Sequence, residues 1–236
     1  MLYIVGTPIG NLKDISQRAK ETLAGADIII IESPADSKRL LNVLGISGKA
    51  IRKFNDENAK KVLPGLIEEI QGKNAAYITS AGMPAISDPG ALLVQAAREK
   101  GIGIQVVPGP SAVMSALAGS GIRTNEFVFI GFLPRKTGQI EKIFRKHTEM
   151  ESVLIFFESP FRILKSIASL AKVSPEARVC AAKELTKMFE NYFIGTPDAI
   201  FEELSKNPKN TKGEFTVVVD FRNSSFSKGG GKSRRI

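Results

Sequence analysis

Short apolar runs alternate with amphipathic stretches through the first half of the chain. The runs "LYIVG", "DIIII", "AAYIT" and "GIQVV" are short and rich in β-branched or aromatic residues, and they predict strands. Between them the apolar positions recur at helical spacing. "DISQRAKETLAGA" predicts a helix with Asp14 as N-cap and Gln17 three residues on, a capping-box spacing. "SKRLLNVLGI" and "PGALLVQAAREKG" predict two more, the latter with Pro89 near its first turn and Gly101 past its end. In "KKVLPGLIEEI" the pair Pro64-Gly65 predicts a kink or a restart. Strands alternating with helices imply a mostly parallel sheet covered on its faces.

At "VVPGPSA" the pattern changes. Two prolines flank a glycine, and "SAVMSALAGSGI" then gives a helix of small residues. Beyond it, "FVFIG", "SVLIFFE", "RVCAAKE", "NYFIGT" and "EFTVVVD" are five strand candidates with fewer helical stretches between them, which predicts a mixed sheet. The fold class expected is therefore α/β, in two α/β domains: residues 1–109 with a mostly parallel sheet and residues 110–221 with a mixed one. A ligand cleft is expected between them. Residues 222–236 are polar, glycine- and serine-rich and basic, and are expected to form a disordered tail.

Ligands of parallel α/β sheets bind outside the carboxyl ends of the strands. Six loops follow strand candidates there: "GTPIGN", "ESPADS", "TSAGMPAISDPG", "PGPSA", "ESPFR" and "KELTK". Their glycines and prolines set backbone direction and let a ligand touch main-chain atoms. None fits a phosphate loop or G-x-G-x-x-G, and "TSAGMPAISDPG" has no lysine.

Charge and composition narrow the chemistry. The formal charge is +9, but residues 222–236 hold five cations and no acid, so the body is only mildly basic. Apolar residues make up 43% of the chain, enough for a real core. A single cysteine, Cys180, excludes an internal disulfide and reads as a core thiol. The single histidine, His147 in "FRKHTEM", reads as the frayed end of a basic helix, which disfavours a histidine-based triad. No metal site is expected. Without an 18-residue apolar run or a charged leader, the reading is a soluble cytoplasmic protein with no membrane partner.

The motifs in order, "LYIVGTPIGNLKDISQRAKETLAGADIIIIE", "SAGMPAISDPG", "VVPGPSAVMSALAGSGI", "FVFIGFLPRK", "FFESPFRI", "KELTK" and "KGEFTVVV", resemble the bacterial 16S ribosomal RNA 2′-O-ribose methyltransferases of the tetrapyrrole-methylase superfamily. The resemblance runs from residue 2 to about residue 220. It implies S-adenosyl-L-methionine as cofactor, a cytidine ribose in the decoding region of the small ribosomal subunit as target, and a homodimer. Superfamily cofactor contacts carried over fall on Pro8, Ile9, Ala81, Gly82, Met83, Ile86, Ser111, Ala112, Phe157, Glu158 and Leu185. Such a cofactor carries no phosphate, which accounts for loops without a phosphate grip.

The resemblance has departures. Glu32 is followed by "SPADSKR" where the family has Asp-Thr-Arg, with Arg39 the cation expected to reach the same space. "SDAGTP" is "TSAGMP" here, and Phe161 replaces a usual histidine. A ribose hydroxyl needs a destination for its proton; Glu32, Lys183 and Glu184 are the candidates kept, with Asp88 and Glu158 beside them. Asp88 before Pro89 also reads as a helix cap, and Glu32 and Glu158 as partners of Arg39 and Arg162. Candidate RNA contacts are Arg135, Lys136, Arg39 and Arg162, with further cations at Lys142, Arg145, Lys146, Lys49, Arg52 and Lys53. Two alternatives remain open on the sequence: a methylase of tetrapyrrole macrocycles, and a non-catalytic RNA-binding relative.

Overall fold

A computed structural model describes residues 1–222 of the chain, and the rest of the basic tail lies outside the described residues. The chain divides into two compact units, the first Met1–Ala112 and the second from Val113.

The first unit is a five-stranded sheet of β1 (Leu2–Val5), β2 (Ile28–Ile31), β3 (Ala50–Lys53), β4 (Ala75–Ile78) and β5 (Ile104–Val107), in the order β3-β2-β4-β1-β5. Every pairing is parallel. Side chains alternate across it with period two. Ile28, Ile30 and Tyr77 face α3 (Ala59–Ile70) and α4 (Gly90–Glu99). Ile29, Ile31 and Ile78 face α1 (Gln17–Gly25) and α2 (Pro34–Val43). Burial on both faces is why β2 is a plain run of isoleucines rather than an alternating strand.

Three local expectations change. The cap of α1 is Ser16, whose Oγ accepts from the Ala19 N–H at 3.0 Å, while Asp14 ends a short 3-10 turn at Leu12–Asp14. Helix α3 runs through Pro64 without a break. Pro64 and Lys60 are both exposed, so water can satisfy the Lys60 carbonyl that the proline leaves unbonded. "KAIRKF", read as a basic cluster, contains edge strand β3: Arg52 pairs with Glu69, and Lys49 Nζ donates to the Ala24 carbonyl at 2.5 Å.

The second unit is a mixed sheet of β6 (Val128–Phe132), β7 (Val153–Glu158), β8 (Arg178–Lys183), β9 (Asn191–Gly195) and β10 (Phe215–Asp220), in the order β6-β7-β10-β8-β9. Only β6 and β7 pair in parallel. One face packs Phe156, Val217 and Val179 against α6 (Thr137–Glu149), α7 (Ile163–Val173) and α8 (Pro197–Ser205). Helix α5 (Ala112–Ser120) meets Tyr192 of β9 through Gly119, where a Cβ would come within 2.4 Å of the ring. Cys180 is a buried core thiol, pushed up to about 11 by burial against a smaller opposing effect of Arg178. Arg222 forms a two-point pair with Asp220 and donates to the Arg123 carbonyl at 2.9 Å.

His147 is not a frayed end. It is buried inside α6, its Nδ1 lies 2.7 Å from Ser152 Oγ, and its ring stacks on Phe221. Burial, and then the Lys146 charge, lower its pKa. The folded value thus lies below the unfolded one, so between the two the unfolded chain binds more protons and stability falls as pH falls. His147 is the only histidine. Urea midpoints of the wild type should therefore drop more steeply than those of His147→Gln as pH is lowered below about 6.5. Parallel pH profiles for the two proteins would contradict this.

Candidate functional site

In the first sheet, β1 and β4 are neighbours, yet their connections leave toward opposite edges, β1 to β2 and β4 to β5. That switch in direction opens a crevice at the carboxyl ends of these strands. Three loops are laced together there. Gly6 N–H donates to the Val107 carbonyl at 2.9 Å. Thr7 and Gly82 exchange two backbone hydrogen bonds, of 2.9 and 3.1 Å, as an isolated antiparallel bridge. Gly109 N–H donates to Met83 Sδ at 3.1 Å. Gly6 and Gly109 lie so close that a Cβ on Gly6 would sit 2.6 Å from Gly109 N and 2.7 Å from Met83 Sδ.

The long loop after β4 is held by its own acid. Asp88 accepts from Gly90 N–H at 2.7 Å, from Ile86 N–H at 3.2 Å and from the Tyr77 hydroxyl at 3.0 Å. Burial first, and then Asp88, push that hydroxyl well above its ordinary range. The anchored turn holds Ala85 at φ 67° and Ser87 at φ 83°, conformations that L-residues rarely adopt. Such backbone persists only where its surroundings over-determine it.

These loops bring together Ile9, Gly82 and Met83. Gly82 itself has φ 79°, and a Cβ there would lie 3.3 Å from Ile9 Cγ2 and 3.6 Å from the Pro110 carbonyl oxygen. Pro8 is buried, Ala81 and Ile86 are exposed, and Ser111 and Ala112 are partly buried where α5 begins. Glu32, at the end of β2, accepts from Ser80 N–H at 3.2 Å and so joins the loop after β4. Arg39 is exposed on α2, and no ion pair links it to Glu32 among the described residues. Across residues 6–11, 79–90 and 108–112 there is no lysine or arginine. Bare backbone approach without a cation suits a phosphate-free ligand read by main-chain groups.

In the second sheet, β6, β7 and β8 all end at one edge, where β9 and β10 begin. Glu158, only 1% exposed, is the hub of that edge. It accepts from Ser166 Oγ at 2.6 Å, from Arg162 Nη2 at 3.0 Å and from Ser159 N–H at 2.9 Å. Arg162 Nη2 also donates to the Leu133 carbonyl at 2.6 Å and contacts that of Pro134 at 3.3 Å. Lys165 Nζ donates to the Arg135 carbonyl at 3.2 Å. Arg162 therefore fastens the 133–136 loop, while Arg135 and Lys136 remain exposed. Phe157 packs against Phe129 and Phe132, with ring centroids 4.9 and 5.6 Å away.

Lys183 is buried and donates to the Lys209 carbonyl at 2.7 Å. Glu184 accepts from Glu214 N–H at 2.8 Å and Lys187 Nζ at 2.9 Å. Burial alone would raise its pKa, but the Glu214 N–H and Lys187 bring the net shift down. Gly213 has no Cβ to meet Glu184 Cγ, which would be 2.4 Å away. Both side chains thus brace the 207–214 segment, and Leu185 beside them is buried. Sequence reasoning missed Ser166 and Thr7 as fastening residues. The spacing of Glu158, Arg162 and Ser166 by four was the available signal for the first.

Residues 1–200 match the family Tetrapyrrole (Corrin/Porphyrin) Methylases. The chain belongs to this methylase family. Among its relatives are proteins named ribosomal RNA small subunit methyltransferase I. That of Thermotoga maritima is 39% identical over 92% of this chain and 97% of its own length. That of Haemophilus influenzae is 41% identical over 93% of this chain and 78% of its own. In fold, the methylase resembles diphthine synthase, with TM-score 0.73 and 14% identity over 93% of this chain and 89% of that one. It also resembles the methyltransferase CobJ, with TM-score 0.67 and 16% identity over 93% of each.

The contact of Gly6 with Gly109 in this methylase is directly testable. Gly6→Ala must push two backbones apart, so it should destabilise the protein by about 1–3 kcal/mol in urea unfolding. Gly138→Ala in α6, where a Cβ meets nothing within 4 Å, is the control and should be neutral or stabilising by up to about 1 kcal/mol. Equal stability of Gly6→Ala and wild type would show that the loops are not held at this distance.

Proposed function

We propose that this methylase transfers the methyl group of S-adenosylmethionine to the 2′-hydroxyl of a cytidine ribose in the decoding region of small-subunit ribosomal RNA. The relatives named as small-subunit ribosomal RNA methyltransferases support the RNA class of the substrate. The observation that carries the cofactor is the cation-free set of loops drawn together on Gly6, Gly82 and Gly109.

When bound, S-adenosylmethionine supplies a methyl carbon already activated by a sulfonium. The protein then has to bind, orient and exclude water, and positioning alone supplies up to about 7–11 kcal/mol. In the first unit, main-chain groups near Ile9, Ala81, Gly82 and Met83 would read the ribose and the adenine edge, and the apolar sides of Ile9, Met83 and Ile86 would face the sulfonium. Ser111 and Ala112 belong to the same set in the first unit; Phe157, Glu158 and Leu185, carried over by the resemblance, lie in the second unit and are proposed separately as cofactor contacts. The fastened side chain of Glu158 leaves its backbone to act.

For the proton of the 2′-hydroxyl, Glu32 is the strongest of the three candidates. Among the described residues only its Oε2 is engaged, by Ser80, whereas Lys183 and Glu184 both brace the 207–214 segment. Glu32 would orient the hydroxyl and accept its proton as the oxygen attacks. Arg135 and Lys136 would hold phosphates of the substrate strand, with Arg162 positioning their loop and Arg39 a further exposed cation. The reading includes a homodimer acting in the cytoplasm.

Calorimetry tests the cofactor half. The wild type should bind S-adenosylmethionine, and Gly82→Val should lose binding, since the branched side chain would enter the space between Ile9 and Pro110. Its positive φ also costs about 1–2 kcal/mol, so the variant is scored only where it still melts cooperatively. Unchanged affinity in a folded variant would place the cofactor elsewhere. Salt titration tests the RNA half. Arg135→Ala with Lys136→Ala should flatten the slope of log affinity against log salt by about 1.4–1.8, the release from two phosphates. Cofactor affinity should not change, and an unaltered slope would remove this loop from the RNA contact.

A further inference from the structure

Phe161 is 96% exposed, the most exposed large apolar side chain among the described residues. Single exposed apolar residues are common and carry no meaning alone. What distinguishes Phe161 is how it is held. It lies in a tight turn closed by Arg162 N–H and Ile163 N–H, both donating to the Ser159 carbonyl, at 3.0 and 3.1 Å. Its neighbour Arg162 is fixed on one side to buried Glu158 and on the other to the carbonyls of Leu133 and Pro134. Lys165 adds the bond to the Arg135 carbonyl. The turn and the 133–136 loop therefore form one rigid piece.

That piece presents a defined chemistry. Arg135 and Lys136 are exposed and pair with no acid among the described residues. Phe132, 63% exposed, leads into the same loop from a bulge at Gly131, where φ is 67°. Aromatic faces beside unpaired cations match a strand of nucleic acid whose bases are not paired. Its π-faces can stack and its phosphates lie within reach of the cations. A duplex hides those faces.

We infer that Phe161 is a stacking platform for an unpaired nucleobase of the RNA substrate. The inference rests on the proposed RNA reading and deepens it: the strand is single-stranded where it crosses this turn. A second copy of this chain is the weaker occupant. A two-fold contact through this face would bring the partner's equivalent cations against Arg135 and Lys136, like against like. The turn is already fixed, so the backbone at Phe161 has little freedom left to lose on stacking.

The chain contains no tryptophan, so Phe161→Trp installs a single fluorescent reporter at the platform. Titration with a single-stranded oligoribonucleotide should quench its emission in step with binding followed by anisotropy of labelled RNA. The duplex of the same sequence should not quench it. Phe161→Leu and Phe161→Ala should bind the single strand about 5- to 150-fold more weakly, the range for one lost base stack, with the salt slope unchanged. Their melting temperature should match wild type, since the ring is exposed. Saturable RNA binding without quenching, or wild-type affinity in Phe161→Leu, would overturn the platform while leaving the RNA reading intact. Absence of RNA binding by the wild type would overturn both. Conversion of a dimer to monomer by Phe161→Ala would identify a second copy as the occupant and overturn the inference.

Discussion

Two glycines in contact set the geometry of the first unit's candidate site. Gly6 follows β1 and Gly109 follows β5, and a Cβ on Gly6 would lie 2.6 Å from Gly109 N and one on Gly109 2.8 Å from Gly6 Cα. With that contact in place, Met83 Sδ can accept from Gly109 N–H and Thr7 can pair with Gly82. Three loops from neighbouring parallel strands are thus drawn to one place without any charged side-chain clamp, the Met83 thioether and the Thr7 hydroxyl adding only neutral ties. The close approach leaves main-chain groups, rather than charged side chains, to define the surface. A phosphate-binding protein solves the opposite problem, gathering N–H groups and a cation around a negative charge.

The second unit uses a different device. There a buried carboxylate, Glu158, gathers a serine, an arginine and a backbone N–H. Burying a charge is costly unless it is paired and hydrogen-bonded, and Glu158 has both. Its arginine reaches on to two carbonyls and so transmits the order of the β7 end to the 133–136 loop. The outcome is a division of labour: Arg162 is held inward so that Arg135 and Lys136 can be held outward. The exposed ring of Phe161 sits on the same support.

The alternation of apolar runs with amphipathic stretches made the α/β class legible, because strands buried on both faces are near-continuous apolar runs. Strand β3 was not legible. "AIRK" is half polar, since an edge strand has only part of its surface covered, and its cations looked like ligands for a nucleic acid. His147 was misread for a related reason. Flanking lysines and acids gave a polar window, yet helical spacing turns that one position inward toward Phe221. The glycine loops of the first unit were legible by composition. Which glycines touch was not, because the contact joins positions 103 residues apart in the chain. Charge marked Arg135, Lys136 and Arg162 alike as RNA contacts, although Arg162 was also read as the partner of Glu158, a pairing the structure contains. Its further bonds to the Leu133 and Pro134 carbonyls were not legible, because they join residues 29 and 28 positions apart.

The proposed reaction is methyl transfer to a ribose hydroxyl of small-subunit RNA. The most direct measurement incubates the protein with isotopically labelled S-adenosylmethionine and small ribosomal subunits isolated from cells lacking it, then maps 2′-O-methylation along the RNA. Stoichiometric label is expected at one cytidine ribose in the decoding region, absent without the protein. Label on a base, on a ribose elsewhere, or on no RNA at all while S-adenosylmethionine still binds would contradict it.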